Sequence, residues 1–287
     1  MSYYIGLATV FAIYGILGVS LNLVVGYTGL LSITQAAFFG IGAYTSAILL
    51  TRTSLGFFAA LPIAIGVTAG VSLLIGIVLS RFKDDYYAVG SFGFNVIIVA
   101  ALTNWEHLTR GAFGIESISG PVLFGHQLGE SGFLILALVC LVVVYALSSL
   151  IVHLPFGRLL KAIREDEQAI QVFGYNTLFF KLAIFVISAG MAAVAGALLA
   201  SYVTYIDPPT FDLLESILIL LIVIFGGLAN LRGSLLGAAF LVLLPEGLRF
   251  VGFAPEIASQ MRELIYGLVL ILLMLFRPQG LLGEYKI

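Results

Sequence analysis

Residues 1–51 read MSYYIGLATVFAIYGILGVSLNLVVGYTGLLSITQAAFFGIGAYTSAILLT, and no Asp, Glu, Lys or Arg occurs before Arg52. A helix needs about 20 consecutive apolar residues to cross a bilayer, where lipid offers the backbone no hydrogen-bond partner. This run is long enough for two such helices, with a break expected near Gly26-Tyr27-Thr28-Gly29. A cleavable leader needs a basic start and a small-residue cleavage site. The run has neither, so its first helix is expected to be retained.

The same pattern continues outward along the chain. Residues 53–80, 86–105, 131–157, 182–206, 216–231, 233–245 and 264–276 also lack Asp, Glu, Lys and Arg. They predict nine spans: 3–25, 30–50, 56–80, 86–104, 132–154, 182–205, 214–231, 234–250 and 263–277. Pro245 and Gly247 fall in the eighth, which is expected to be a broken helix. Of 287 residues, 61% are hydrophobic and 10% charged, against roughly 45–50% and 25% in soluble domains. A soluble enzyme, a secreted domain and a disordered chain are excluded. The fold class is an all-α polytopic membrane protein of about nine transmembrane helices (eight to ten), forming one domain over 1–287.

The 13 basic residues do not exceed the 15 acidic ones, so nucleic-acid binding has no electrostatic support. Cys140 stands alone and reads as a small apolar side chain. Placing 155–181 in the cytoplasm puts nine basic residues inside (Arg81, Lys83, Arg158, Lys161, Arg164, Lys181, Arg232, Arg277, Lys286). Four (Arg52, Arg110, Arg249, Arg262) then face outside. The positive-inside bias favours that orientation, with a cytoplasmic C-terminus and an external N-terminus. Glycines within spans (Gly40, Gly42, Gly66, Gly70, Gly190, Gly196, Gly226, Gly227, Gly233, Gly237) read as close helix contacts. Val24–Gly42 and Val223–Phe240 share glycines, a Gly-Leu step and Ala-Ala-Phe, a faint sign of an inverted repeat.

The longest inner polar segment is Pro155–Lys181, PFGRLLKAIREDEQAIQVFGYNTLFFK. Leu159, Ile163, Ile170 and Phe173 recur near helical spacing, predicting one amphipathic helix from Arg158 to Phe173 that stops at Gly174. Such a helix lies on lipid headgroups or enters a groove on a protein partner. The successive carboxylates Glu165, Asp166 and Glu167 favour the protein.

Here the chain resembles a known family. Importer permeases driven by ATP-binding cassettes (ABC) carry an E-A-A-x-x-x-G loop followed by I-x-L-P. Gln168-Ala169-Ile170, Gly174 and Ile184 are similar to it. The runs Leu21-Asn22-Leu23-Val24-Val25-Gly26-Tyr27-Thr28-Gly29 and Ala36 to Tyr44 resemble branched-chain amino acid ABC permeases. So do Ala162 to Glu167, Gly226-Gly227-Leu228, Leu244-Pro245-Glu246 and Phe276 to Leu281. The order agrees over nearly the whole chain, and the loop looks like that of the LivM-type subunit. Ser32-Ile33-Thr34-Gln35 stands where many members have Ser-Leu-Gly-His.

The resemblance implies an inner-membrane permease subunit that pairs with a LivH-like second permease. It implies two cytoplasmic ATPase subunits, a periplasmic or surface solute-binding protein and surrounding lipids as partners. Arg158, Lys161, Arg164, Glu165, Asp166, Glu167, Ala169 and Gly174 would then couple to the ATPases. No G-x-x-x-x-G-K-[ST] loop occurs, so no cofactor is expected in this chain, and ATP and Mg would be bound by the partners. No catalytic motif marks an enzyme. The alternative is a secondary transporter working without an ATPase. Against it, the spans hold few ionisable groups, chiefly Glu215 and Glu246, whereas ion-coupled carriers place them in the bundle. Asn22, Tyr27, Ser32, Gln35 and Asn95 are the pathway candidates, since polar groups in lipid need a partner or a water-filled cavity. The outer loop 105–131 is a candidate surface for the binding protein.

Overall fold

The computed structural model describes residues 2–53, 55–82, 85–123 and 126–250, with 261, 264, 265, 267, 268, 271, 272, 275, 276 and 279–283. Among them are eleven α-helices: α1 Ser2–Thr28, α2 Gln35–Arg52, α3 Phe57–Leu79, α4 Asp85–Asn104, α5 Glu106–Thr109, α6 Glu130–His153, α7 Pro155–Glu165, α8 Glu167–Val172, α9 Thr177–Val203, α10 Leu213–Gly226 and α11 Leu231–Phe250. Eight of the nine expected spans coincide with long helices. The ninth, 263–277, lies partly outside the described residues; those described in it (264, 265, 267, 268, 271, 272, 275 and 276) are helical. Among the described residues, six stretches are long and apolar enough to cross a membrane: 2–28, 57–79, 86–104, 130–153, 177–203 and 208–226.

Local chemistry moves several boundaries. α1 runs to Thr28, whose hydroxyl donates to Val24 O, and ends where Gly29 turns left-handed at φ +73°. Residues 29–34 are not helical, and α2 begins at Gln35. α11 passes through Pro245 as one helix, not the broken one expected. The amphipathic helix expected over Arg158–Phe173 is two helices. Asp166 is extended (φ −153°, ψ 99°), and its carboxylate accepts from Ala169 N to cap α8. A capping carboxylate outcompetes helix continuation at such a position. The segment 105–131 contains short strands. Strand β1 (Ile115–Glu116) pairs antiparallel with β4 (Tyr205–Ile206), and β2 (Val122–Leu123) pairs with β3 (His126–Gln127).

α1 is apolar all round and sits in the interior, with every residue from Gly15 to Thr28 buried. α9 and α2 share that interior. The α6 residues Phe133, Ala137, Leu141, Val144 and Ser148 form its buried stripe, whereas Val142 is 65% exposed on the opposite face. The exposed apolar faces of α3, α4 and α6 suit a lipid solvent, and the chain is a multi-pass membrane protein.

Small residues set the spacing inside. A Cβ on Gly42 would overlap the Ala193 backbone, and one on Gly196 would overlap Phe39 O and Ala43 N. Without a hydrophobic drive in lipid, such close backbone approach is what packs α2 on α9. Gly66 and Gly70 differ from the expectation, since nothing lies within 4 Å of a Cβ at either.

The two ends of the bundle are distinct. At one, the α1–α2 break meets α7 and the α10–α11 break. At the other, the start of α1 meets Tyr202, and Arg52 Nη2 donates to His107 O at 2.7 Å.

Candidate functional site

The C-terminal end of a helix leaves carbonyls without intrahelical donors and carries partial negative charge. α1 ends at Thr28, so Gly26 O is such a carbonyl. Arg164 on α7 donates to it through Nη1. One turn earlier, the Lys161 ammonium lies 5.4 Å from the centre of the Tyr27 ring. A Cβ on Gly29 would sit 3.0 Å from Arg164 Cγ. Two cations of the 155–181 segment therefore rest on the break between α1 and α2. α7 is held there by Gly157, Leu160 and Ile163, all buried.

Asn22, fully buried one turn before Gly26, ties this break to the other. Its Oδ1 accepts from Ala229 N at 3.0 Å, and its Nδ2 donates to Ser234 Oγ at 2.7 Å and Asn230 O at 2.9 Å. Ala229 is left-handed at φ +59°, costly for a residue with a Cβ. Asn230 Oδ1 caps α11 by accepting from Arg232 N and Gly233 N. Leu281 N and Leu282 N donate to Phe225 O and Gly226 O, so the tail satisfies the last carbonyls of α10. The similar segments 24–42 and 223–240 thus each contain a helix break, and the two breaks are in contact.

The acidic part of the loop divides in function. Glu165 and Asp166 are exposed. Glu167 pairs with Lys181 and accepts from Thr177 Oγ1 at 2.9 Å, clamping α8 to α9. Gly174, at φ +86°, ends α8, with Gly174 N donating to Gln171 O and Tyr175 N to Ile170 O. Just before that turn, Val172 is 86% and Phe173 77% exposed. Arg158 is exposed and Ala169 half-buried.

The pathway candidates are scattered. Tyr27 lies under Lys161. Ser32 and Thr34 share a hydrogen bond of 2.8 Å within the non-helical segment. Gln35 opens α2, its Nε2 2.7 Å from Ser20 Oγ and 3.4 Å from Ser188 Oγ. Asn95 lines a cavity of about 430 Å³ between α4 and the start of α10. Glu215 and Glu246 line another, of about 620 Å³, with Tyr14 and Tyr202. The partners Ser20, Ser188, Ser216 and Ser234 carry no mark in the sequence, because a serine in a span reads as a small packing residue. Among the described residues, no three His, Cys, Asp or Glu side chains converge as a metal site.

The family described as "Branched-chain amino acid transport system / permease component" matches residues 3–274. The chain is 35% identical to the high-affinity branched-chain amino acid transport system permease protein LivM of Salmonella typhimurium, over 97% of this chain and 69% of that protein. LivM of Escherichia coli is 34% identical over the same shares. LivH of Escherichia coli is 22% identical, over 96% of this chain and 92% of that protein. No solved structure matches.

Proposed function

The chain belongs to the branched-chain amino acid transport permease family, and from that premise we propose that it is one permease subunit of an ATP-driven importer. Its solutes are leucine, isoleucine, valine or related small polar molecules. The observation that carries this reading is the contact of Arg164 and Lys161 with the α1–α2 break. A push on α7 reaches the end of α1 through Arg164 and, through Asn22, the α10–α11 break. Discontinuous helices that meet within a bundle are where transporters switch access.

Two cytoplasmic ATPase subunits dock on α7, α8 and the exposed Val172–Tyr175 turn, and they bind the ATP and Mg. A LivH-like second permease completes the route, and an external solute-binding protein delivers to the end built from 105–131. The chain sits in the plasma membrane, the inner one where there are two, with its C-terminus in the cytoplasm.

The test is L-leucine uptake by the reconstituted complex, with ATP hydrolysis measured alongside. Arg164→Ala is expected to leave hydrolysis while abolishing most uptake. Uptake that collapses with the proton gradient at constant ATP would overturn the importer reading.

A further inference from the structure

Asn95 sits on α4 and is 1% exposed. Its Oδ1 accepts from Ser216 Oγ at 3.4 Å, and Ser216 Oγ in turn accepts from Ala36 N at 3.1 Å. The other half of the amide, Nδ2, has no hydrogen-bond partner among the described residues. A buried donor left unmade is costly unless something else satisfies it. Asn95 lines the cavity of about 430 Å³ that α4 forms with the first residues of α10.

That cavity has a consistent chemistry. Phe92, Val96, Val99 and Leu213 make its walls apolar. Asp212 supplies the one charged side chain among its lining residues. Ser216 N donates to the backbone Asp212 O, so the first turn of α10 begins at Asp212 and ends at the serine that meets Asn95. Thr103 and Asn104 also line it, and both donate to their own helix, to Val99 O and Ala100 O. The unpartnered Asn95 donor, one carboxylate and an apolar wall suit a zwitterion with an aliphatic side chain. The volume lies within the roughly 300–1,000 Å³ of small-molecule sites.

We infer that this cavity is the solute's resting place on the permease. Asn95 Nδ2 donates to the α-carboxylate, Asp212 receives the α-ammonium and the α4 wall takes the aliphatic side chain. The inference rests on the importer reading. It excludes dicarboxylates, because the site holds no cation to meet a second negative charge.

Asp212→Asn isolates the charge, since Asn caps a helix as well as Asp does and Asp212 Oδ1 caps α10 through Leu214 N and Glu215 N. Asn95→Asp reverses the donor. The reconstituted complex is assayed with its binding protein at saturating L-leucine, so that capture outside the membrane does not limit the rate. Each variant is expected to lower the maximal uptake rate by about tenfold or more, and Asn95→Gln to recover part of it. In a Cys140→Ala background, alkylation of Asn95→Cys should be slowed by L-leucine and not by 4-methylpentanoate, which lacks the ammonium.

Variant rates within about twofold of the parent, or equal alkylation with and without leucine, overturn this site and leave the importer reading standing. A parent complex that hydrolyses ATP but carries no leucine overturns both.

Discussion

Asn22 shows how one side chain joins two distant parts of the chain. Asn22→Leu leaves Ala229 N–H without its acceptor, while Asn230 O keeps Ser234 N as a donor and Ser234 Oγ keeps Asn230 O as an acceptor. A buried group so orphaned costs about 1–3 kcal/mol. A clear drop in the midpoint of thermal unfolding in detergent is expected, and an unchanged midpoint would deny Asn22 this role. Arg164 acts differently, because it satisfies a carbonyl at a helix end and does not fill the core. Its replacement by alanine is expected to change the ratio of transport to hydrolysis more than the unfolding midpoint. The sequence marked Asn22 and Arg164 as polar residues in the right regions. It could not show that both act on the end of α1, because Arg164 meets Gly26 from 138 positions away.

Among elements, α2 and α9 approach as closely as their glycines permit. Gly196→Ala would press a methyl group into Phe39 O and Ala43 N, and overpacking of this kind costs about 1–3 kcal/mol. Gly66→Ala and Gly70→Ala meet open space, so the helix-propensity gain of up to about 1 kcal/mol should make them neutral or stabilising. Unfolding midpoints of the three variants in one detergent test this contrast, and equal losses would refute it. The Glu167–Lys181 clamp is an ion pair between α8 and α9. Glu167→Lys alone is expected to lower uptake, and Glu167→Lys with Lys181→Glu to restore it. Glu165 is the better choice for charge reversal at the proposed docking surface, since it is exposed.

For the whole molecule, the arrangement of ends makes orientation testable. Gln168 and Ser119 are both exposed and lie at opposite ends of the bundle. In a Cys140→Ala background, a membrane-impermeant maleimide added to intact cells should label Ser119→Cys and spare Gln168→Cys. The reverse pattern would place 155–181 outside and remove the ATPase contact. Mass spectrometry of the complex purified from native membranes in mild detergent should find a P-loop ATPase and a second permease. The chain recovered alone, from an extract where other ATP-driven importers survive intact, would argue for a transporter without an ATPase.

The apolar runs by themselves determined the helical class and the position of nearly every long helix. That follows because lipid forces each backbone group to be satisfied within its own segment, so spans are legible one at a time. Glycine, likewise, marked the ends of α1 and α8 through its tolerance of a left-handed backbone. Tertiary structure alone decided which polar residues meet: Asn22 with Ala229, Gln35 with Ser20 and Ser188, Asn95 with Ser216. It also decided that α11 runs through Pro245 and that Gly66 and Gly70 of α3 meet open space while Gly76 packs against α9. Inside the bundle, close packing selects one partner for each buried polar atom from residues far apart in the chain. No local pattern of residue types encodes that choice.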